Sequence, residues 1–187
     1  SFNAKHMTDM GVLLKAFQCI YPDITVRWLI QGFTFGQHNK NDHGNNFRPI
    51  IRITTPESVL RPDAIRRESW RLKNGDKRAN PAGKVGGDVF FTDFLEYARV
   101  TGNSKQRRNY HPTQLHEGLV HDCLTMTTPD GGTVIDPFMG TGTTLRVCKG
   151  NGWSCITSDI SEQYCNEVVD EHGLWSHPKG GWITTIE

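Results

Sequence analysis

The sequence has no Cys-x-x-Cys pair, no Gly-Lys-Ser/Thr triplet, no His-Glu-x-x-His motif and no long apolar run. Each absence removes a class. Five cysteines, an odd number without close pairs, argue against a disulfide framework and a zinc knuckle, and leave reduced core thiols as the reading of Cys148, Cys155 and Cys165. Without a lysine after its Gly-rich turn the chain lacks a P-loop for ATP or GTP. His116-Glu117 is not followed by a second histidine four positions after the first, so a zincin helix is excluded. The apolar stretch Val12-Leu13-Leu14 ends at Lys15, far short of the about 18–20 residues a membrane helix needs. No basic-then-apolar leader opens the chain, which starts at Ser1 rather than Met; no secretory signal, no membrane partner and a cytoplasmic location are the expectations. Net charge is also nearly absent: 21 Lys+Arg face 20 Asp+Glu.

What is present is a chain of 187 residues with 36% hydrophobic side chains and mean hydropathy −0.52, enough for one domain with a core. The balanced charge conceals a block. Residues 61–108 carry 12 basic and 6 acidic side chains, which points to a polyanion partner or, more plainly, to a solvated loop. Apolar spacing predicts a helix over 8–20, capped by Thr8 or Asp9. Strands are expected at 24–30 and 47–54, the second at an edge because of Pro49, with a Gly- and Asn-rich loop over 32–46 between them. Residues 56–110 read as an irregular insert with one strand at 88–91. Thr113 is expected to cap a helix over 114–127. A short buried strand at 133–135, a Gly-rich turn at 136–144, a helix over 143–149, a strand at 154–157 and a helix capped by Ser161 and running to about His172 make a βαβα unit. Its sheet should be parallel. The tail from Leu174 gives no signal.

The chemistry concentrates at the turn Asp136-Pro-Phe-Met-Gly-Thr-Gly-Thr-Thr144. Glycines between a strand and a helix admit a ligand close to the backbone and present helix N-terminal amides, which suits a carboxylate or phosphate. Asp136, at the strand's end, offers an anion to a cationic ligand group. The ligand so described is a zwitterion. Asp159 ends the next strand, 23 positions later, where a nucleoside-binding βαβ unit holds ribose hydroxyls; an acid there also serves simply to cap a helix. Amino acid plus nucleoside is the outline of S-adenosylmethionine.

These residues resemble the β-class DNA amino-methyltransferases. Tyr110-His111-Pro112-Thr113-Gln114 is similar to their His-Pro-Thr-Gln/Glu-Lys-Pro segment, 136–144 to their Asp-Pro-Phe-x-Gly-x-Gly-Thr-Thr loop, and Ile156-Thr-Ser-Asp-Ile160, with Tyr164 behind, to their acidic strand end. The order of these segments matches too, and residues 66–91 resemble more loosely a basic linker that precedes them. Leu115-His116 in place of Lys-Pro, and Thr157-Ser158 before the acid, depart from the pattern. The resemblance implies a Rossmann-like α/β methyltransferase fold with an incomplete sheet: a remaining part of the catalytic half (1–55), a basic DNA-contacting insert (56–109) and a cofactor-binding half (110–187).

It also implies roles. Asp136 and Pro137 would lie at the methionine amino group, Gly140, Thr141, Gly142 and Thr143 around its carboxylate with His111 and Thr113, Phe138 beside the methyl group and target base, and Asp159 at the ribose. Arg66, Arg67, Arg71, Lys77, Arg78, Lys84, Arg107 and Arg108 would meet the phosphates of double-stranded DNA. The reaction would be methyl transfer from S-adenosylmethionine to adenine N6 or cytosine N4, as in restriction-modification, leaving S-adenosylhomocysteine and requiring no metal. The family's acceptor loop, Asp/Asn/Ser-Pro-Pro-aromatic, is missing: none of the nine prolines is followed by another. Ser1-Phe2-Asn3-Ala4-Lys5 resembles a form of it that has lost its prolines, making Phe2 and Asn3 the one remnant. An N-terminally shortened chain that dimerises or pairs with a missing segment is therefore expected. An inactive cofactor- or DNA-binding module and an RNA methyltransferase are the alternatives.

Overall fold

A computed structural model describes residues 3–37, 40–41, 43–79, 82–83, 85, 87–90, 92–174 and 182–185. The expectations for Phe2, Lys84 and Phe91 lie outside the described residues, as does the side chain of Lys77. The chain divides into two compact units, Ser1–Ala98 and Arg99–Glu187. The segment 99–109, expected with the insert, thus belongs to the second unit.

The first unit opens with a single turn, Ala4–His6, whose Asn3 side chain accepts from the Lys5 amide at 3.1 Å. Helix α1 (Met7–Ile20) follows; its cap is His6, without a side-chain bond, rather than Thr8 or Asp9. Strand β1 (Thr25–Gln37) runs antiparallel to β2 (Asn45–Thr54), and β5 (Phe94–Glu96) pairs in parallel with the other edge of β1. The order β2-β1-β5 puts Pro49 on an edge strand, where its missing N–H is tolerated. The expected loop over 32–46 is shorter than the glycines suggested. Pairing of Gly32 with Phe47 and Gln37 with Asn45, across a register shift, keeps the backbone extended to Gln37. Leu14, Gln31, Ile65 and Leu95 are buried here.

The stretch 56–98 is less irregular than expected. Besides β4 (Val89–Phe90) it forms β3 (Arg66–Arg67), antiparallel to β4, the short helix α2 (Trp70–Lys73) and β5. Ser69 caps α2 by accepting from the Leu72 amide, and Asp88 holds the Ser69 amide at 2.7 Å. Trp70 stays exposed.

The second unit contains α3 (Glu117–Thr127), β6 (Thr133–Asp136), α4 (Thr143–Gly150), β7 (Ser154–Ser158), α5 (Glu162–His172) and β8 (Trp182–Thr185). Strands β6 and β7 are parallel, as a βαβ crossover requires. β8 adds antiparallel to β7 from a tail that gave no sequence signal. Helix α3 starts at Glu117, not beside Thr113. The buried Gln114 accepts from the Arg108 amide and donates to the Gln106 carbonyl, which holds 114–116 off the helix, and His116 caps it instead, its ring nitrogen accepting from the Gly118 amide. β6 is half buried rather than buried: Val134 is covered, while Ile135, on the opposite face of an edge strand, is 66% exposed. Val120, Met139, Leu145, Val147, Cys148, Trp153, Cys155, Cys165 and Val168 form the core with Val134. The three inner thiols are buried as the sequence suggested; the hydrogen bond with Cys148, and then burial, push the Cys155 thiol up, and burial pushes up Cys165, which favours the neutral forms. No described helix is long and apolar enough to cross a membrane.

Candidate cofactor turn and the basic stretch

Strand β6 delivers Asp136 to the start of a tight turn. The Asp136 carboxylate accepts from the Phe138 amide at 3.0 Å, which bends the chain back at once. The Met139 amide donates to the Ser158 carbonyl at 2.9 Å and ties the turn to the end of β7. The Gly142 amide then closes on the Met139 carbonyl at 2.9 Å, and α4 begins. Gly140 and Gly142 have φ of +52° and +70°, the left-handed region that side chains other than glycine's enter only at a cost. Space for a side chain is tight as well. A Cβ on Gly140 would lie 3.3 Å from His111 Nε2, and one on Gly142 would lie 3.1 Å from both methyls of Val168.

Asp159 meets this turn directly. One carboxylate oxygen accepts from the Gly140 amide at 2.8 Å and the other from the Ser161 amide at 2.9 Å. It therefore fixes the turn and starts α5 together, where Ser161 supplies the cap by accepting from the Tyr164 amide. Both oxygens retain lone pairs for a further donor. The His111 ring packs against Tyr164 with centroids 4.6 Å apart, and its Nδ1 accepts from the Thr113 amide at 3.1 Å, so its Nε2 edge is the one facing Gly140. Thr113 is exposed and linked to the turn through His111. Met139, Thr141 and Thr143 are almost fully covered, whereas Phe138 is 86% exposed on the rim. Asp136, Gly140, Thr141, Gly142, Thr143, His111 and Asp159 are thus brought together.

The support behind the turn had no sequence signal. Arg146, one helical turn past Gly142, donates to the Thr141 carbonyl at 2.6 Å, to the Thr143 hydroxyl at 3.3 Å and to Glu117 of α3 at 2.8 Å. Glu171 of α5 lies 3.6 Å from the same guanidinium and forms a tight pair with Arg108. Arg108 holds the Glu171 carboxyl below the usual carboxylate range. Tyr110 reaches the Thr141 carbonyl at 3.5 Å, and burial pushes its phenol pKa up. The partners come from three helices far apart in sequence, so spacing alone could not reveal them.

The basic stretch behaves differently from a free cationic surface. Arg66 is paired with Asp63, Arg67 donates to the Tyr97 hydroxyl at 2.8 Å, and Arg71 and Arg78 share Asp76 at 2.8 and 2.9 Å. Arg78 and then Arg71 hold the Asp76 carboxyl down at about 2. In the second unit Arg108 is committed to Glu171, and Arg107 donates to the Pro112 carbonyl at 3.5 Å. Carboxylates therefore engage several of these arginines one by one, although Asp63 and Asp76 belong to the same stretch and leave its excess of positive charge in place.

The model of the N6_N4_Mtase family, described as DNA methylase, matches residues 27–170. The chain belongs to this DNA methylase family. Similar curated members include the type II methyltransferase M.HpaI of Haemophilus parainfluenzae, 33% identical over 141 residues, covering 73% of this chain and 41% of that protein. The type II methyltransferase M.ScaI of Streptomyces caespitosus is 30% identical over 100 residues, covering 52% and 31%. The DNA adenine methyltransferase YhdJ of Escherichia coli (strain K12) is 28% identical over 155 residues, covering 76% and 50%. The chain thus spans at most half the length of these DNA methylases. The crystal structure of an M1.HpyAVI–SAM complex superposes with a TM-score of 0.62 at 14% identity, over 92% of this chain and 72% of that one. The fold is accordingly that of an α/β methyltransferase, as the motifs implied.

Proposed function

We propose that this chain carries the cofactor-binding half of a DNA amino-methyltransferase, which transfers a methyl group from S-adenosylmethionine to adenine N6 or cytosine N4 in double-stranded DNA. The observation that carries the reading is the double-glycine turn clasped by Asp159 and His111, with Asp136 at its mouth. A zwitterionic nucleoside fits this donor set. The first-turn amides of α4 lack intrahelical partners and attract a carboxylate, Asp136 attracts an ammonium, and Asp159 keeps lone pairs for ribose hydroxyls. Either glycine's Cβ would crowd the turn. When bound, S-adenosylmethionine supplies an electrophilic methyl group. The chain's own residues hold and orient it, and Phe138, exposed beside the turn, gives an apolar wall for the methyl group and an entering base. Rate then derives from bringing amine and methyl into line and from polar acceptors at the amine. With no Pro-Pro-aromatic segment in the sequence, we assign no residue here to that acceptor role.

DNA contact falls to the basic stretch. Arg71 and Arg78 are exposed and held by one partly covered carboxylate, Asp76, a surface pairing that contributes little to stability and readily yields to phosphates. Arg67 and Arg107, with Lys77 and Lys84, extend the same set, whereas Arg66 and Arg108 are the more deeply committed.

The test is to incubate the full chain with methyl-labelled S-adenosylmethionine and, in parallel, unmethylated duplex DNA or RNA hairpins, then separate the nucleosides. Label in N6-methyladenine or N4-methylcytosine is expected. Label in RNA alone would make it an RNA methyltransferase. No label from a chain that binds the cofactor would make it a binding module, the reading that the missing Pro-Pro segment favours.

A further inference from the structure

Arg146 occupies an unusual place for a charged side chain. Its side chain is only 12% exposed, and it sits behind the turn rather than at its mouth. Three of its N–H groups are spent in different directions: on the Thr141 carbonyl, on the Thr143 hydroxyl and on Glu117. The first bond matters most. The Thr141–Gly142 peptide is planar and trans, so its carbonyl and its N–H point to opposite sides. Arg146 and Tyr110 hold the carbonyl on one side, and the Met139 carbonyl takes the N–H on the other. This peptide runs into a left-handed glycine, which loosens one of the two torsions that set its plane. The bond to Thr143 then fixes the first residue of α4. Glu117 and Glu171 balance the charge and fix the guanidinium plane.

We propose that Arg146 is a positioning residue for the carboxylate end of the ligand. It holds the Thr141–Gly142 peptide so that the amides at the start of α4 face the ligand. The inference rests on the cofactor reading above but concerns one end of the ligand only, and this makes it separable.

The experiment compares two ligands that share the nucleoside and sulfur: S-adenosylhomocysteine, which has the ammonium and carboxylate of its amino-acid end, and 5′-methylthioadenosine, which has neither. Calorimetry is run on the full chain, Arg146→Met and Arg146→Lys, with circular dichroism and thermal unfolding to establish the fold. For Arg146→Met, affinity for S-adenosylhomocysteine is expected to fall about tenfold or more, as for a lost charge-assisted hydrogen bond, while affinity for 5′-methylthioadenosine stays within about twofold. Arg146→Lys, which keeps the charge and not the fork, is expected to fall between. Should Arg146→Met fail to fold, the lysine variant decides by the same selectivity. Equal losses for both ligands, or no loss for either, would overturn the proposal by leaving Arg146 a purely structural part or an idle one. Wild-type protein that binds 5′-methylthioadenosine as tightly as S-adenosylhomocysteine would overturn it while sparing the nucleoside site. Wild-type protein that binds neither would overturn the cofactor reading and this inference with it.

Discussion

The turn at 136–142 and the basic stretch at 61–108 are the two features of this sequence that stand out, and they are held by different forces. The turn is defined by covalent geometry. Left-handed backbone at Gly140 and Gly142 and contacts to His111 and Val168 permit few other residues, and the turn's amides donating to Asp136 and Asp159, with Arg146 donating to its Thr141 carbonyl, hold it from three sides. The basic stretch is defined by composition. Its cations take whichever carboxylate folding brings near, and surface pairs such as Arg71–Asp76 have many near-equal alternatives. A rigid, buried arrangement suits recognition of one small ligand. A loosely paired, solvated one suits a polyanion that displaces counter-charges.

Substitutions should separate the two regions sharply. The largest effect is expected for Asp136→Ala, which removes both the Phe138 amide's acceptor and the carboxylate at the turn's mouth. S-adenosylmethionine affinity should drop by about a hundredfold, near the upper end of what one charge-assisted bond provides, and calorimetry reads it. Gly142→Ala comes next. The left-handed φ costs about 1–2 kcal/mol, and the contact with Val168 adds to it. A lowered denaturation midpoint with weakened cofactor binding is the expected outcome; an unchanged midpoint would mean that the turn is less constrained than its geometry indicates.

Glu171→Gln should act more gently. The native carboxyl is held below its ordinary value of 4.5, chiefly by the bond from Arg108, so it contributes stability that is full above that value and is lost as pH falls through the lowered one. The variant should lose less than about 1 kcal/mol at neutral pH once solvent screening is allowed for, and unfolding curves between pH 6 and about 3 should flatten relative to wild type. The smallest effect on stability belongs to Asp76→Asn in the surface trio. Its readout is DNA instead. Freeing Arg71 and Arg78 should tighten duplex binding and steepen the logarithmic salt dependence by up to about 0.9 for each new phosphate contact. An unchanged slope would remove both arginines from the interface.

The same contrast explains what was legible. Gly140, Gly142 and Gly173 take left-handed backbone that few other residues adopt, and Ser161 caps a helix with its hydroxyl, so the turn, α4, β7 and α5 could be read within a residue or two. The start of α3 could not. Thr113 is the cap that residue preference suggests, and the later start at His116 was decided by Gln114, which is pulled toward residues 106–108 by bonds no periodicity announces. β5 and β8 are three and four residues long and exist because a neighbouring strand offers an edge, a fact of tertiary structure. β1 outran its expected end because pairing with β2 overrode the glycines. At the site, the residues of the turn were legible. Arg146, Glu117 and Glu171 were not, since their relation depends on the packing of three helices. The pairing of Arg108 with Glu171, 63 residues apart, escaped for the same reason.

The most direct test of the central claim is calorimetric titration of the full chain with S-adenosylhomocysteine. Saturable binding near one site per chain is the predicted result. No heat of binding from a chain shown by circular dichroism to be folded would contradict the assignment of the turn as a cofactor site.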